Sequence, residues 1–327
     1  MLDRLKLVCL TANKELTAEI ANYLGVDVMD STVTHFADGE ILFEGNQSFR
    51  GNNVYIIQST CAPVTERLME VLVCCDALKR ASARSITCIM PYFGYARQDR
   101  KAKARQPITA KLVADLLTTA GCQRIVCTDL HASQIQGFFN IPVDDVSALP
   151  LFYRYFASLN LDNIVCVSPD HGAVTRTSKL AEKLGAPIAI IDKRRPKPNV
   201  AEVVAIVGDI QDKDCIIVDD LVDTAGTLCN AAKKLKELGA RRVYAAISHG
   251  VLSGPAIDRI KDSELEKLVI TDTIPLPPEK KIDKIEVIPI APLFAQIIQA
   301  LEEGTSLSNV HRNFAHEQYK AVSKENK

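Results

Sequence analysis

Residues 215–227, CIIVDDLVDTAGT, join an apolar run to two adjacent carboxylates, Asp219 and Asp220. A short loop follows, opened by Asp223 and built from Thr224, Ala225, Gly226 and Thr227, and then a helical pattern begins. Small residues let backbone N–H groups approach a phosphate, threonines add hydroxyl donors, and a helix start adds its positive dipole end. Carboxylates at the end of a buried strand can accept hydrogen bonds from sugar hydroxyls, and two acids in such a place need a reason to be there. The combination reads as a site for a phosphorylated sugar. It is not a Walker-type loop, because no G-x-x-x-x-G-K-[ST] string occurs. The plain alternative is an ordinary strand–turn–helix with an Asp-rich cap.

Other segments could handle phosphate and base. Lys193, Arg194 and Arg195 directly follow the apolar run 188–191. Alternate residues on extended chain face one way, so Lys193 and Arg195 can converge on one phosphate; a basic turn closed by Pro196 and Pro198 is the competing reading. Residues 97–111, RQDRKAKARQPITAK, concentrate six basic side chains: Arg97, Arg100, Lys101, Lys103, Arg105 and Lys111. Most charge runs are solvated loops, yet Pro107 breaks this one just before a helix, and a mobile basic loop suits a lid over a triphosphate. Phe36–Glu40, FADGE, reads by itself as an Asp-Gly hairpin turn, although an aromatic face also fits a flat base. His131 and Asp170 each follow an apolar run; a lone histidine there is more often structural than a ligand.

These groups need a scaffold, and the chain supplies an alternating one. Runs at 54–58, 86–90, 125–128, 164–167, 188–191, 215–218 and 243–247 read as buried strands, and 62–80, 108–120, 173–184 and 227–238 as helices. Strands alternating with helices predict βαβ units and a largely parallel sheet. The last two helices end at Gly185 and Gly239, where glycine supplies a left-handed cap. Residues 55–94 and 215–250 follow the same strand, turn, helix, strand course, with Ser59 and Thr60 standing where the second copy has Asp219 and Asp220. This predicts two related α/β domains, 1–147 and 148–310, followed by a polar tail, 311–327. With 327 residues, the chain is long enough for two cores. With 39 basic against 40 acidic residues, it offers no net-charge argument for nucleic acid or an anionic membrane. Of its ten cysteines, most sit inside apolar runs and none forms a C-x-x-C pair, which argues against zinc and for a reducing, cytoplasmic compartment. The first residues form neither a signal peptide nor an anchor.

VDDLVDTAGT resembles the phosphoribosyl-pyrophosphate motif of type I phosphoribosyltransferases, and residues 5–310 as a whole resemble the class I ribose-phosphate pyrophosphokinases. The likeness runs through FADGE (36–40), YFGYARQDRK (92–101), DLHASQIQGFF (129–139), SPDHG (168–172), DKRRPKPN (192–199) and LSGPA (252–256), in that order. It implies two similar phosphoribosyltransferase-like domains, each a mainly parallel sheet flanked by helices. It implies transfer of the diphosphoryl group of ATP to the 1-hydroxyl of ribose 5-phosphate, giving AMP and 5-phosphoribosyl 1-diphosphate. By the same resemblance Phe36 stacks on adenine, and Asp38, Gly39, Glu40, Arg97, Gln98 and Asp99 complete the ATP site. Asp219, Asp220, Asp223, Thr224, Ala225, Gly226 and Thr227, with Arg195, bind ribose 5-phosphate. Asp170, His171 and Gly172 receive diphosphate, and His131 with Asp170 forms the Mg²⁺ site, an unusual set because magnesium prefers oxygen. Lys193 and Arg195 stabilise the transition state, and Lys101 and Arg105 lie on the catalytic flexible loop. Ser48, Arg50, Gln136, Asp144, Asp145, Ser306 and Ser308 match regions that form regulatory nucleotide or phosphate sites in relatives. Relatives assemble as homohexamers. Lys103 and Gln106 depart from the common Arg and Glu of bacterial relatives, losing a bidentate fork at 103. No side chain stands out as a general base. Two other functions compete: a non-catalytic regulatory paralogue, opposed by the uninterrupted loop 101–107, and a nucleobase phosphoribosyltransferase, which has no use for a second domain carrying an adenine site.

Overall fold

The computed structural model describes residues 2–197 and 200–316, with backbone alone at 193–197, 200–204 and 315–316. The chain forms two compact units and crosses from the first to the second between Ser147 and Ala148.

In the first unit β1 (Leu5–Cys9), α1 (Lys14–Leu24), β2 (Ser31–His35), β3 (Ile41–Gly45), β4 (Asn53–Ile57), α2 (Val64–Arg80), β5 (Ser85–Met90), α3 (Thr109–Ala120), β6 (Arg124–Thr128) and β7 (Val143–Val146) follow in order. The sheet is parallel, in the order β1-β4-β5-β6-β7. Its strands read as continuous apolar runs because both faces are covered: Val54, Tyr55, Ile56 and Ile57 are all buried. One face packs on Leu68, Val71, Cys75 and Leu78 of α2 and on Val113 and Leu117 of α3, spaced three or four apart along each helix. Outside this sheet, β2 and β3 form an antiparallel hairpin, from Ser31 opposite Gly45 to His35 opposite Ile41. The Asp-Gly signal at residues 38–39 thus makes the turn it predicts, with Gly39 at φ 93.

The second unit contains α4 (Leu149–Ser158), β8 (Ile164–Ser168), α5 (Val174–Leu184), β9 (Ile188–Lys197), β10 (Val200–Val207), β11 (Asp214–Val222), α6 (Gly226–Glu237), β12 (Arg242–Gly250), α7 (Ala256–Lys261), β13 (Lys267–Thr271) and β14 (Ile285–Ile288). Strand order is β10-β9-β8-β11-β12-β13-β14, antiparallel only between β10 and β9. The chain builds outward from β8 to β9, then returns to place β11 on the other side of β8. That reversal opens a crevice beyond the carboxyl ends of β8 and β11, where open α/β sheets hold ligands. At the opposite end, the buried Asp214 carboxylate accepts from Arg241 Nε (2.9 Å) and Nη2 (2.7 Å) and from Arg242 Nε (3.0 Å) and Nη2 (2.5 Å). These pairs fix the start of β11, and they hold the carboxyl below its ordinary range despite burial.

The chain end departs from the predicted plan. Residues Asp272–Pro275 and Pro289–Leu307 belong to the first unit, including α8 (Ala291–Glu303), so the second domain is not one continuous stretch. Glu302 of α8 accepts hydrogen bonds from Tyr55 Oη (2.8 Å) and Asn53 Nδ2 (3.0 Å) of β4. The tail expected from residue 311 is in fact helical as far as the described residues reach: α9 (Leu307–His316) buries Phe314 completely, with the Arg154 guanidinium 4.7 Å from its ring centroid. Phe314 is the fully buried side chain of this otherwise largely polar segment. Residues 317–327 lie outside the described residues. Among the described residues no helix is long and apolar enough to cross a membrane.

Candidate active site

The acids at 219 and 220 lie inside β11, not past its end, because β11 continues to Val222 beside β12. Its pairing with β8 stops at Ile217 opposite Val167, so the acids overhang on the crevice side. The loop after Val222 lines a cavity of about 200 Å³ with Asp219, Asp223, Thr224, Ala225, Gly226, Thr227 and Pro169. Ala225 takes φ 59, a left-handed conformation uncommon outside glycine. No side chain caps α6. Among the described residues none accepts a hydrogen bond from the backbone N–H of Ala225, Gly226 or Thr227. Donors with no internal partner at a helix start make an anion cradle.

Arg176, on the first turn of α5, places Nη1 3.3 Å from Asp220 Oδ1 and 4.0 Å from Asp219 Oδ1. Burial, the Asp220 carboxylate and the charge of Asp170 push Asp219 up to about 8. The guanidinium favours Asp220, so Asp219 is the member of the pair that keeps a proton. Sequence reasoning missed Arg176, since a single arginine on a charged helix carries no signal of its own. Beside these acids, Asp170 Oδ1 accepts the N–H groups of Gly172 (2.9 Å) and Ala173 (3.1 Å), which shapes the turn into α5. His171 Nε2 lies 3.7 Å from Asp192 Oδ1 on β9. Lys193 and Arg195 fall within β9, which runs past the predicted end at residue 191, and Lys193 pairs with Val203 of β10. Their side chains lie outside the described residues.

The remaining candidates stand in the first unit. Phe36 is 53% exposed at the hairpin tip; its N–H donates to the Glu40 carbonyl, and Glu40 N–H donates to Asp38 Oδ1. Gln98 ties the basic loop to α3, accepting from Thr109 Oγ1 at 2.5 Å. Asp99 Oδ2 accepts from Gln134 Nε2 at 2.6 Å. Lys101 and Arg105 are exposed, Arg105 at φ 65. Gln106 Oε1 accepts the Lys103 N–H (2.9 Å), so the side chain at 106 closes a small turn. His131 is exposed after β6. The residues matched to regulatory regions have local duties: Ser48 Oγ accepts from Arg50 N–H, Gln136 donates to the Ser133 carbonyl, Asp144 pairs with Arg124 at 2.5 Å, and Asp145 accepts the Leu130 N–H. Ser306 precedes α9 and Ser308 lies in its first turn.

At the matching place in the first unit the hydroxyls are spent internally. Ser59 Oγ donates to the Thr273 carbonyl (2.5 Å), and Ser59 N–H donates to Asn13 Oδ1 (2.6 Å). Thr60 Oγ1 accepts from Gly94 N–H (2.7 Å), and a Cβ at Gly94 would lie 2.4 Å from the Thr60 carbonyl oxygen.

Paired acids and an uncapped loop at the switch point of an open α/β sheet make a candidate site for an anionic, hydroxyl-bearing ligand. Residues 5–121 match the family model described as the N-terminal domain of ribose phosphate pyrophosphokinase, and residues 192–312 match the phosphoribosyl synthetase-associated domain. The chain is 59% identical to a ribose-phosphate pyrophosphokinase of Caldanaerobacter subterraneus subsp. tengcongensis, over 94% of this chain and 98% of that one. It is 56% identical to one of Listeria ivanovii, over 94% of this chain and 97% of that one. A crystal structure of phosphoribosylpyrophosphate synthetase from Mycobacterium smegmatis superposes with TM-score 0.86 at 43% identity, covering 92% of this chain and all of that chain. The chain belongs to the ribose-phosphate pyrophosphokinase family, and its two units are phosphoribosyltransferase-like domains.

Proposed function

We propose that the protein transfers the diphosphoryl group of ATP to the 1-hydroxyl of ribose 5-phosphate. The 1-hydroxyl oxygen bonds to the β-phosphorus while the bond from that phosphorus to the α–β bridging oxygen breaks, AMP leaves with the bridging oxygen, and the hydroxyl proton passes to solvent. The observation that carries this reading is the acid pair beside an uncapped, left-handed loop at the switch point of the second unit. Thr224–Thr227 hold the 5-phosphate on backbone N–H groups and hydroxyls, Asp223 lies at the loop entrance, and Asp219, which lines the cavity, orients the ribose hydroxyls together with its neighbour Asp220.

Phosphoryl transfer leaves the protein little covalent work; catalysis is positioning and charge neutralisation. In this reading Lys193, Arg195 and Arg97 counter charge on the migrating group, and Lys101 and Arg105 lie on the loop that excludes water. Phe36, Asp38–Glu40, Gln98 and Asp99 take ATP. The exposed Phe36 ring supports that role. Asp170, His171 and Gly172 receive the diphosphate. The convergence of charge from Asp170, Asp219 and Asp220 fits a hard divalent cation with oxygen ligands. Asp170, with His131 as a weaker donor, would hold Mg²⁺, which when bound offsets phosphate charge. Ten unpaired thiols suit a reducing cytoplasm. Association into a homohexamer belongs to the same reading.

The test is AMP formation by the purified chain with ATP and Mg²⁺, dependent on ribose 5-phosphate. Lys193→Ala should lower turnover by about a hundredfold or more while ATP binding stays near wild type. Near-normal turnover in that variant would remove the role given to Lys193. Nucleotide formed from phosphoribosyl diphosphate and a free base, without ATP, would overturn the whole reading.

A further inference from the structure

The loop that cradles the phosphate needs something to hold its shape. Its entrance is anchored by the chain after β12: Leu252 N–H donates to the Val222 carbonyl (3.1 Å) and Ser253 N–H to the Asp223 carbonyl (3.0 Å). At its crest a side chain from outside the loop reaches the backbone. Arg259 Nη1, from α7, donates to the Thr224 carbonyl at 2.9 Å. The same guanidinium lies against the open side of Gly226, where an added Cβ would sit 3.2 Å from Nη1 and 3.8 Å from Cζ. Arg259 is itself tied to α6, since its carbonyl accepts from Cys229 Sγ at 3.5 Å.

In a trans peptide the C=O and the following N–H point opposite ways. An arginine that draws the Thr224 carbonyl outward therefore turns the Ala225 N–H toward the cavity that Thr224, Ala225 and Gly226 line. Ala225 adopts φ 59, a conformation that persists in a non-glycine residue only where its surroundings hold it. The guanidinium also places a permanent positive charge beside a helix start that no side chain caps.

We propose that Arg259 is a positioning residue for ribose 5-phosphate: it fixes the Thr224–Ala225 peptide and so aims the backbone donors of the phosphate loop. This rests on the sugar-phosphate reading of that loop. It makes α7, a short helix outside every motif assigned to chemistry, part of the binding apparatus.

Steady-state kinetics of the full chain test it, varying ribose 5-phosphate and ATP separately. A charge-assisted hydrogen bond lost from the loop should raise KM for ribose 5-phosphate about tenfold in Arg259→Met, with kcat and KM for ATP within about twofold of wild type. Arg259→Lys keeps a donor and the charge but not the planar fork, and should raise the same KM about threefold. Unchanged KM for ribose 5-phosphate in Arg259→Met overturns the proposal. So does an equal rise in both KM values, which marks a merely structural role. Arg259 is exposed, and unfolding midpoints verify that both variants fold. If the Met variant does not, a Lys variant with wild-type KM is the overturning result. Thr227→Val separates the two levels: if it too leaves KM for ribose 5-phosphate unchanged, the loop's assignment fails. If it raises KM while Arg259→Met does not, only Arg259's role fails.

Discussion

Adjacent carboxylates resist being charged together, and burial resists the charge on each of them. Burial first, and then the neighbouring Asp220 carboxylate, raises Asp219 from 3.8 to about 8. A carboxyl whose folded value is raised binds its proton more tightly when folded, so the unfolded chain holds fewer protons between the two values. Stability then falls as pH rises from about 4 to about 8, and is flat above. Asp219→Asn removes the effect. Its melting temperature should match wild type near pH 4 and exceed it by several degrees at pH 8.5, and thermal scans across that range are the measurement. A gap that does not widen with pH would contradict the shared-proton account. Added Mg²⁺ should narrow the gap, because a cation on the ionised pair stabilises wild type alone. The acid pair and its loop were legible in the sequence because rare residue types adjoin at a predicted strand end. Arg176 and Arg259 were not, because a basic residue on a helix looks the same whether it faces water or a neighbouring loop.

At the scale of elements, the two units share a strand–turn–helix plan and differ in what stands at the strand end. After β4, the donors and acceptors of Ser59 and Thr60 are committed to Asn13, Thr273 and the turn through Gly94. On β11, Asp219 and the loop that follows the strand line a cavity instead. The difference predicts that restoring the acids does not restore a site. Ser59→Asp with Thr60→Asp would bury charge where both positions are at most 1% exposed, and should cost about 3 kcal/mol or more in urea unfolding. The second outcome to check is calorimetry, which should show no new binding of ribose 5-phosphate. A stable variant with a second binding event would mean that the first unit kept a latent cradle. The predicted strands and helices of both units were found because apolar runs and helical periods are local properties. The extension of β9 through the charged segment 192–197 was not, because charged residues at a sheet margin give no apolar period to read.

Over the whole molecule, chain order and unit membership part company. Glu302 hydrogen-bonds Asn53 across 249 positions of sequence, a relation no local pattern can announce. Leu293, Phe294, Ile297 and Ile298 of α8 are fully buried, each contributing about 2 kcal/mol by burial. That sum is comparable to the entire stability of an ordinary domain. A fragment ending at residue 147 would therefore lose the helix whose Glu302 bonds to β4 and expose apolar surface in its place. The fragment 1–147 should bind a hydrophobic dye and melt without a cooperative transition. The same fragment joined by a flexible linker to residues 289–307 should melt cooperatively, with dye binding reduced. Circular dichroism and dye fluorescence on the two polypeptides decide between a first unit complete at Ser147 and one completed by the chain end. A cooperative, dye-free 1–147 would show that α8 is dispensable. Failure of both fragments, with Glu302→Leu leaving the full chain's unfolding free energy unchanged, would show that the Glu302 contacts do not carry the attachment.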